Sequence, residues 1–390
     1  MRNIMIDIKI PKDFFGEDIP LTVFISREQL LSKKCGEVYG KYFEDTGIFN
    51  IYPLQLYDKG DFLGEVLPFG SQPNINGFCG VVTSDDISFF WKGKEIKVES
   101  YELYQNIFSR NKGILETDVM SKKCAVILGC GSVGSLVALE LTKAGVGNFV
   151  LVDADTLEYH NLCRHQCGIE DVGDLKVNAL CRKVLNINPK VKIKTFPGIF
   201  QNIPKEILDE MCSTRETIIV GCADNRIADV YANRIAIYYN AAFISIGFWE
   251  RAFAGEIFYY LPDKGMPCYE CALGDGGGIS GRVEANHHVY SNQINIEGLK
   301  FEPGISVDIN FITNIGIKLI IDILNRKNHS YIPRLLEHLR QYTLVCNTNN
   351  SEIGGEMLEI FSYPLQITTS LVTKFREPCI GQCKYEAKEK

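Results

Sequence analysis

Three glycines, Gly129, Gly131 and Gly134, stand in the stretch CAVILGCGSVGSLVALELTKAG, and Asp153 follows about one strand later. These residue types at this spacing suit one kind of chemistry. The glycines permit a tight turn after the apolar run AVIL and let a phosphate or a helix approach closely. The free N–H groups at the start of the following helix favour an anion, and an acidic residue at the end of the next strand can accept from ribose hydroxyls. The unit reads as a nucleotide site. Read alone, it serves an NAD-dependent oxidoreductase as well as an ATP-using enzyme.

The residues after Asp153 separate these readings. They run DADTLEYHNLCRHQCGIEDVGDLKVNA, with Asp155, Asn161, Leu162, Arg164, Gly173 and Lys176, and a later strand ends in GCADN, with Asp224 and Asn225. Taken together, these elements resemble the ThiF/MoeB/ubiquitin-activating-enzyme (E1-like) family over roughly residues 104–390. The resemblance implies adenylation, in which a carboxylate oxygen attacks the α-phosphorus of ATP and pyrophosphate leaves. Both reactants are anionic, so such a site needs cations and a metal. Arg164 can clamp phosphate oxygens in a fork, and Lys176 adds a compact positive charge. Asp224 is the expected Mg²⁺ ligand, as its counterpart is in the family, and Asn161 is expected to orient the nucleotide. One departure stands out: the family often places Gln directly after the arginine, whereas here His165 precedes Gln166.

The family's sites often receive an arginine from the other subunit, and Arg110 in YQNIFSRNKGI occupies a suitable place. The pairs Cys268/Cys271 and Cys379/Cys383 can meet as a tetrahedral four-cysteine zinc site. The family commonly holds a structural zinc at corresponding places, although the second pair here has three intervening residues instead of two. Some relatives pass the activated partner to a cysteine after the first zinc pair. No cysteine occurs from Ala272 to His329, which leaves Cys163, Cys167, Cys181, Cys222 and Cys346 as weaker candidates for a thioester.

The elements that must position these residues follow from the hydropathy pattern. From Lys122 the chain alternates strand and helix, as an α/β sheet does: CAVILG, NFVLVDAD, VKIKTFP, TIIVGCADN, AAFISIGFWE and AGEIFYYLP are strands. SVGSLVALELTKAG, LKVNALCRKVLNINP and SVDINFITNIGIKLIIDILNRK are helices. The fold class is α/β, a Rossmann-like E1-type adenylation domain with a mostly parallel sheet, preceded by a small α+β or mostly β accessory domain. We assign residues 1–115 to that accessory, substrate-recognition domain, and residues 116–390 to the adenylation domain with a C-terminal zinc-binding element. In the first domain IMIDIKI, LTVFI, IFNIYPLQLY, FLGEVLPF, FCGVVTS and ISFFWKG read as strands, and REQLLSKKCGEVYGKYF as a helix. Residues 272–300 read as a long irregular segment that contains His287 and His288; its glycine-rich part, 274–285, serves either to cover or guide a substrate tail or as a disordered surface loop.

At 390 residues and 46% hydrophobic composition the chain can bury a large core, so a folded protein of about two domains is expected. A formal net charge of −7 argues against nucleic-acid backbone binding. The best membrane candidate, FITNIGIKLIIDIL, is too short and carries Lys318 and Asp322. The start lacks a secretory pattern, and 14 cysteines fit reduced thiols in the cytoplasm. The resemblance therefore implies ATP-dependent adenylation of the C-terminal carboxylate of a small ubiquitin-like or sulfur-carrier protein. It also implies ATP, Mg²⁺ and structural Zn²⁺ as cofactors, a homodimer, and a possible E2-like partner. The competing readings are adenylation of a short peptide in modified-peptide synthesis, an NAD-dependent oxidoreductase, and a non-catalytic scaffold that binds a ubiquitin-like protein.

Overall fold

The computed structural model describes residues 20–103, 107–212, 216–223, 225–273, 303–348, 363–368 and 373–376, together with Cys379 and Cys383. The strand expected at residues 4–10, most of the irregular 272–300 segment with its two histidines, and Asp224 lie outside the described residues. The chain divides into two compact units, Met1–Ser109 and Arg110–Lys390.

The first unit is a closed seven-stranded barrel. Its strands are β1 (Thr22–Ser26), β2 (Gly36–Phe43), β3 (Ile48–Ile51), β4 (Asp61–Leu67), β5 (Phe78–Val82), β6 (Ile87–Trp91) and β7 (Lys94–Tyr101). They run in the order β1-β3-β2-β4-β5-β6-β7, and β1 pairs with β7 to close the ring. Closure removes the exposed edges a small sheet would otherwise present. Val23, Ile25, Val38, Phe49, Ile51, Phe78 and Phe89 fill the interior, with the Phe49 and Phe78 rings stacked at 4.6 Å. The sequence reading is corrected at residues 27–43. A helix covers only Arg27–Ser32, capped by Ser26 and ended by Lys33 in the left-handed region; Gly36–Phe43 is a strand. The reason is periodicity: buried positions alternate at Val38 and Gly40, so the segment has a period of two once past Gly36. The strand β7 was not anticipated, because KEIKVESY carries four charged residues on a half-exposed strand.

The second unit is built on an eight-stranded sheet. Its strands are β8 (Cys124–Leu128), β9 (Asn148–Asp153), β10 (Lys192–Pro197), β11 (Thr217–Gly221), β12 (Ala242–Phe248), β13 (Ala254–Tyr260), β14 (Tyr342–Cys346) and β15 (Ile367–Thr368). The order is β10-β9-β8-β11-β12-β13-β14-β15. Strands β8 to β12 pair in parallel, and β13, β14 and β15 add antiparallel strands at one side. This is the α/β, parallel-rich architecture expected. The central strands are apolar on both faces. Ala125 and Ile127 of β8 join the core beneath the helices Ser132–Lys143, Lys176–Ile187 and Ser306–Asn325. Val126 and Leu128 join the core on the other face, beneath Lys205–Cys212, Arg226–Tyr238 and Tyr269–Leu273. The chain moves outward from β8 to β9 and β10, then returns to β11 on the other side of β8. That reversal opens a crevice at the carboxyl ends of β8 and β11, where open α/β sheets bind ligands.

Among the described residues no helix, the long Ser306–Asn325 helix included, is long and apolar enough to cross a membrane. Asp322 of that helix is instead a buried anchor. Its Oδ2 accepts the backbone N–H groups of Arg334, Leu335 and Leu336 at 2.9, 2.6 and 3.0 Å, and its Oδ1 accepts the Tyr331 hydroxyl at 2.6 Å. Asp322→Asn keeps the shape but turns donors toward donors. We expect the unfolding free energy to fall by about 3 kcal/mol in urea denaturation; a loss under about 1 kcal/mol would contradict an anchoring role.

Candidate nucleotide site

The glycine turn shows why each of its glycines is needed. Gly129 leaves β8 with φ +89°, and a β-carbon there would stand 2.7 Å from the Ala223 backbone. At Gly134 a β-carbon would stand 1.8 Å from the Gly129 carbonyl oxygen. Both are constraints of packing. Gly131 differs, because a β-carbon there would meet no protein atom within 4 Å. It caps the Ser132–Lys143 helix without a side-chain hydrogen bond, so the N–H groups of the first turn stay available to a ligand. Gly131 thus leaves bare backbone facing an open cavity of about 590 Å³.

That cavity is lined by Gly129, Gly131, Asp153, Asp155, Arg164 and Lys176 among others. Asp153 braces it: Oδ2 accepts the Cys130 N–H at 2.6 Å and Oδ1 the Asp155 N–H at 2.8 Å. Each oxygen retains a second lone pair for a ribose hydroxyl. The Lys176 ammonium donates to Asp155 Oδ2 at 2.7 Å, and the lysine side chain is 12% exposed against 69% for the aspartate. A partner so exposed holds the lysine weakly, so a phosphate can replace it.

Arg164 reaches the cavity from the loop after β9. Asn161, expected beside the nucleotide, is instead a capping residue one turn away. Its Oδ1 accepts the Glu158 N–H at 2.9 Å, and its carbonyl accepts the N–H groups of Arg164 and His165. It does not line the cavity. His165 locks the same loop to the glycine turn. Its Nδ1 accepts the Cys167 N–H at 3.0 Å, so its Nε2–H donates to the Cys130 carbonyl at 2.7 Å. Burial lowers its pKa, against the opposing pull of that carbonyl. The ring is neutral and structural, a role not read from the sequence.

Three further residues complete the set. Asp224 lies outside the described residues; its sequence neighbours Ala223 and Asn225 both line the cavity. Asn225 caps the Arg226–Tyr238 helix, its Oδ1 accepting from Ile227 and Ala228. Arg110 is exposed and borders a separate hollow with Lys143, Lys318 and Arg334, so the structure does not bring it to its own chain's nucleotide cavity. The far wall, formed by Phe248, Trp249, Ala252, Gly304 and Ile309, was not anticipated. Its residues are apolar or small, and no motif announces them.

The four cysteines expected as a metal site come together. Cys268, Cys271, Cys379 and Cys383 place their sulfurs within 4.8 Å of one another, with Cys268–Cys379 at 3.6 Å, Cys271–Cys383 at 3.8 Å and Cys379–Cys383 at 3.4 Å. These separations are too long for disulfides. Tetrahedral zinc with Zn–S bonds of about 2.3 Å requires sulfurs about 3.8 Å apart, so the donor set fits zinc. Of the other cysteines, Cys167 and Cys222 are buried, and burial pushes the Cys167 thiol up to about 12 and raises that of Cys222 further. Cys163 and Cys35 are exposed.

The chain is similar to several known proteins. The ubiquitin-like modifier-activating enzyme 5 of Caenorhabditis elegans is 28% identical over 166 residues, covering 40% of this chain and 39% of that protein. Its counterpart in Dictyostelium discoideum is 26% identical over 197 residues, covering 46% and 51%. The chain thus spans about two fifths to half of the length of these curated relatives. Among solved structures, Escherichia coli MccB with ATP has a TM-score of 0.46 at 20% identity, covering 70% of each chain. PaaA has a TM-score of 0.44 at 18% identity, covering 59% of this chain and 62% of that one. The ThiF family model matches residues 106–343, more than half of the sequence, and the chain belongs to the ThiF family.

Proposed function

We propose that this protein adenylates the C-terminal carboxylate of a small ubiquitin-like or sulfur-carrier protein with a flexible tail. The observation that carries the reading is the convergence of Arg164 and Lys176 on the cavity of the glycine turn. A hydride-transfer site has no common use for both cations beside that turn. ATP activation does, because an anionic nucleophile meets a polyphosphate there. A carboxylate oxygen forms the new bond to the α-phosphorus, the bridging bond from that phosphorus to the β-phosphate oxygen breaks, and pyrophosphate leaves. No general base is needed, since the carboxylate is already ionised at neutral pH.

The residues divide the work. The N–H groups beyond Gly131 hold phosphate oxygens, Asp153 the ribose, and Arg164 and Lys176 the charge that develops on the leaving pyrophosphate. Mg²⁺ bound by Asp224 would neutralise the phosphates. Zinc held by the four cysteines is structural. The barrel unit recognises the partner, and the protein acts as a homodimer in the cytoplasm with Arg110 supplied to the other subunit's site. The buried, protonated state of Cys167 and Cys222 opposes a thioester step at either, so transfer to an E2-like partner would need another thiol. A short peptide is the alternative acyl substrate.

ATP–pyrophosphate exchange with Mg²⁺ and a candidate partner tests this reading. Arg164→Ala and Lys176→Ala should each lower exchange by about 100-fold or more, and Asp224→Asn should do the same. Exchange that survives these changes, or selective NAD binding without ATP binding, would overturn the proposal. The glycines give a finer expectation. Gly131→Ala should weaken ATP binding with little change in Tm, whereas Gly134→Ala should lower Tm because its β-carbon collides with the Gly129 carbonyl.

Metal analysis tests the cysteine assignment. Native mass spectrometry should show a single zinc ion per chain, and chelation or Cys271→Ser should lower Tm. A metal-free protein of unchanged Tm would rule the site out.

A further inference from the structure

The proposed reaction needs a wall for its acyl half. Strands β8, β11 and β12 are successive in the sheet, and the residues after each line the cavity in a row. With phosphates on the turn after β8 and ribose on Asp153 at the end of β9, the acyl group enters from the β12 side. There the wall is the turn Trp249–Phe253, and it is strained. Arg251 and Ala252 are consecutive non-glycine residues with φ of 52° and 55°, a conformation that persists only where surrounding contacts impose it.

Backbone hydrogen bonds hold the turn, the Trp249 N–H to the Ala254 carbonyl and the Ala252 N–H to the Trp249 carbonyl, both at 2.9 Å, and one side chain ties it from outside. The buried Asn347, just past β14, donates from its Nδ2 to the Ala252 carbonyl at 2.8 Å and to the Asp308 carbonyl at 2.9 Å, so both amide hydrogens are used. Its backbone N–H and that of Thr348 donate to the Phe253 carbonyl at 2.8 and 3.2 Å. The Trp249 indole N–H donates to the buried Glu256 at 3.3 Å. Asp308 precedes Ile309, which also lines the cavity. The two tied segments meet at Gly304, where a β-carbon would stand 3.3 Å from Ile309 Cδ1, 3.6 Å from Ala252 Cβ and 3.7 Å from Arg164 Nη1. Asn347 therefore joins the strained turn to the start of the Ser306–Asn325 helix at the point where both face Arg164.

We propose that Asn347 is a positioning residue that holds the acyl-side wall of the cavity, resting on the adenylation reading above. It touches neither reactant; it acts through Ala252 and the first turn of the helix. Loss of its carboxamide releases Ala252 from the left-handed region and moves the wall, while the glycine turn and Asp153 stay in place.

The test uses the full chain with two probes, Mg·ATP and glycyl-sulfamoyladenosine, a stable acyl-adenylate mimic, each titrated by calorimetry. In Asn347→Ala the mimic should bind roughly tenfold more weakly while ATP affinity changes by less than about twofold. Asn347→Asp, which turns a lone pair toward two carbonyls, should behave the same way. Adding Ala252→Gly to Asn347→Ala should restore part of the loss, because glycine adopts positive φ without strain. In a Trp91→Phe background Trp249 is the single indole, and its emission should shift red in the Asn347 variants, with circular dichroism showing an intact fold. Unchanged mimic binding, or equal weakening of both probes, overturns the positioning role. A wild-type chain that binds ATP but not the mimic overturns the adenylation reading instead.

Discussion

At Gly134 the helix backbone lies so close to the Gly129 carbonyl that no β-carbon fits between them. Much of the site depends on that contact. It presses the Ser132–Lys143 helix onto the end of β8 and aims the helix's first N–H groups across the crevice. It also brings Cys130 to where its N–H meets Asp153 at the end of β9 and its carbonyl meets His165. On the other side, the Cys222 N–H donates to the Leu128 carbonyl at 2.8 Å and places Ala223 against Gly129. Loops from three parallel strands are thus fixed by one close approach of backbone to backbone, and the topological reversal of the sheet supplies the space between them.

Charge in this site is arranged to be exchanged. Lys176 is mostly buried but paired with an exposed aspartate, a pair worth little in water and easily surrendered to phosphate. Nearby pairs have a different role. Arg182 and Lys183 both engage Asp171, which is almost fully buried and also accepts the Gly168 N–H at 3.1 Å. Those pairs hold the loop that follows Arg164. On the same loop, neutral His165 bonds to the Cys130 carbonyl and the Cys167 N–H. Its lowered pKa means that the native state resists protonation. Stability from this group is therefore complete above the unfolded value of about 6.5 and is lost as pH falls from there through the lower folded value.

The legible parts of the sequence were those where a physical constraint selects one residue type. Only glycine satisfies the contacts at positions 129 and 134, and only thiols in pairs build the sulfur cluster, so both were readable without a structure. The apolar strands flanking the glycines were equally plain. Legibility failed where residue type underdetermines geometry. In REQLLSKKCGEVYGKYF a short helix and a strand share one stretch, and a helical period fitted the first third only. Asn161 has the chemistry to touch a nucleotide, yet the neighbouring turn uses its side chain as a cap. The acyl-side wall was invisible because its left-handed residues are arginine and alanine rather than glycine. The side chain that ties this turn to the neighbouring helix is Asn347, almost a hundred residues later.

The four cysteines of the sulfur cluster do not line the cavity, yet a chain of contacts joins them to its wall. Cys268 and Cys271 bracket the start of the short Tyr269–Leu273 helix, which packs on the Arg226–Tyr238 helix. The contacts between them are polar, two buried and one half-exposed. The Tyr269 N–H donates to Asn233 Oδ1 at 2.7 Å, the Tyr269 hydroxyl lies 3.4 Å from Asp229 Oδ2, and Arg234 pairs with Glu270 at 2.9 Å. Asp229 also accepts the Ser245 hydroxyl of β12 at 2.6 Å and lies against Gly221, where a β-carbon would stand 2.1 Å from its Oδ1. The Arg226–Tyr238 helix begins at Asn225, on the cavity wall. A metal held by the four cysteines would fix the short helix and, through Asn233 and Asp229, the Arg226–Tyr238 helix, whose cap Asn225 borders the cavity. Such a constraint would reach the site through a rigid element rather than through chemistry at the metal.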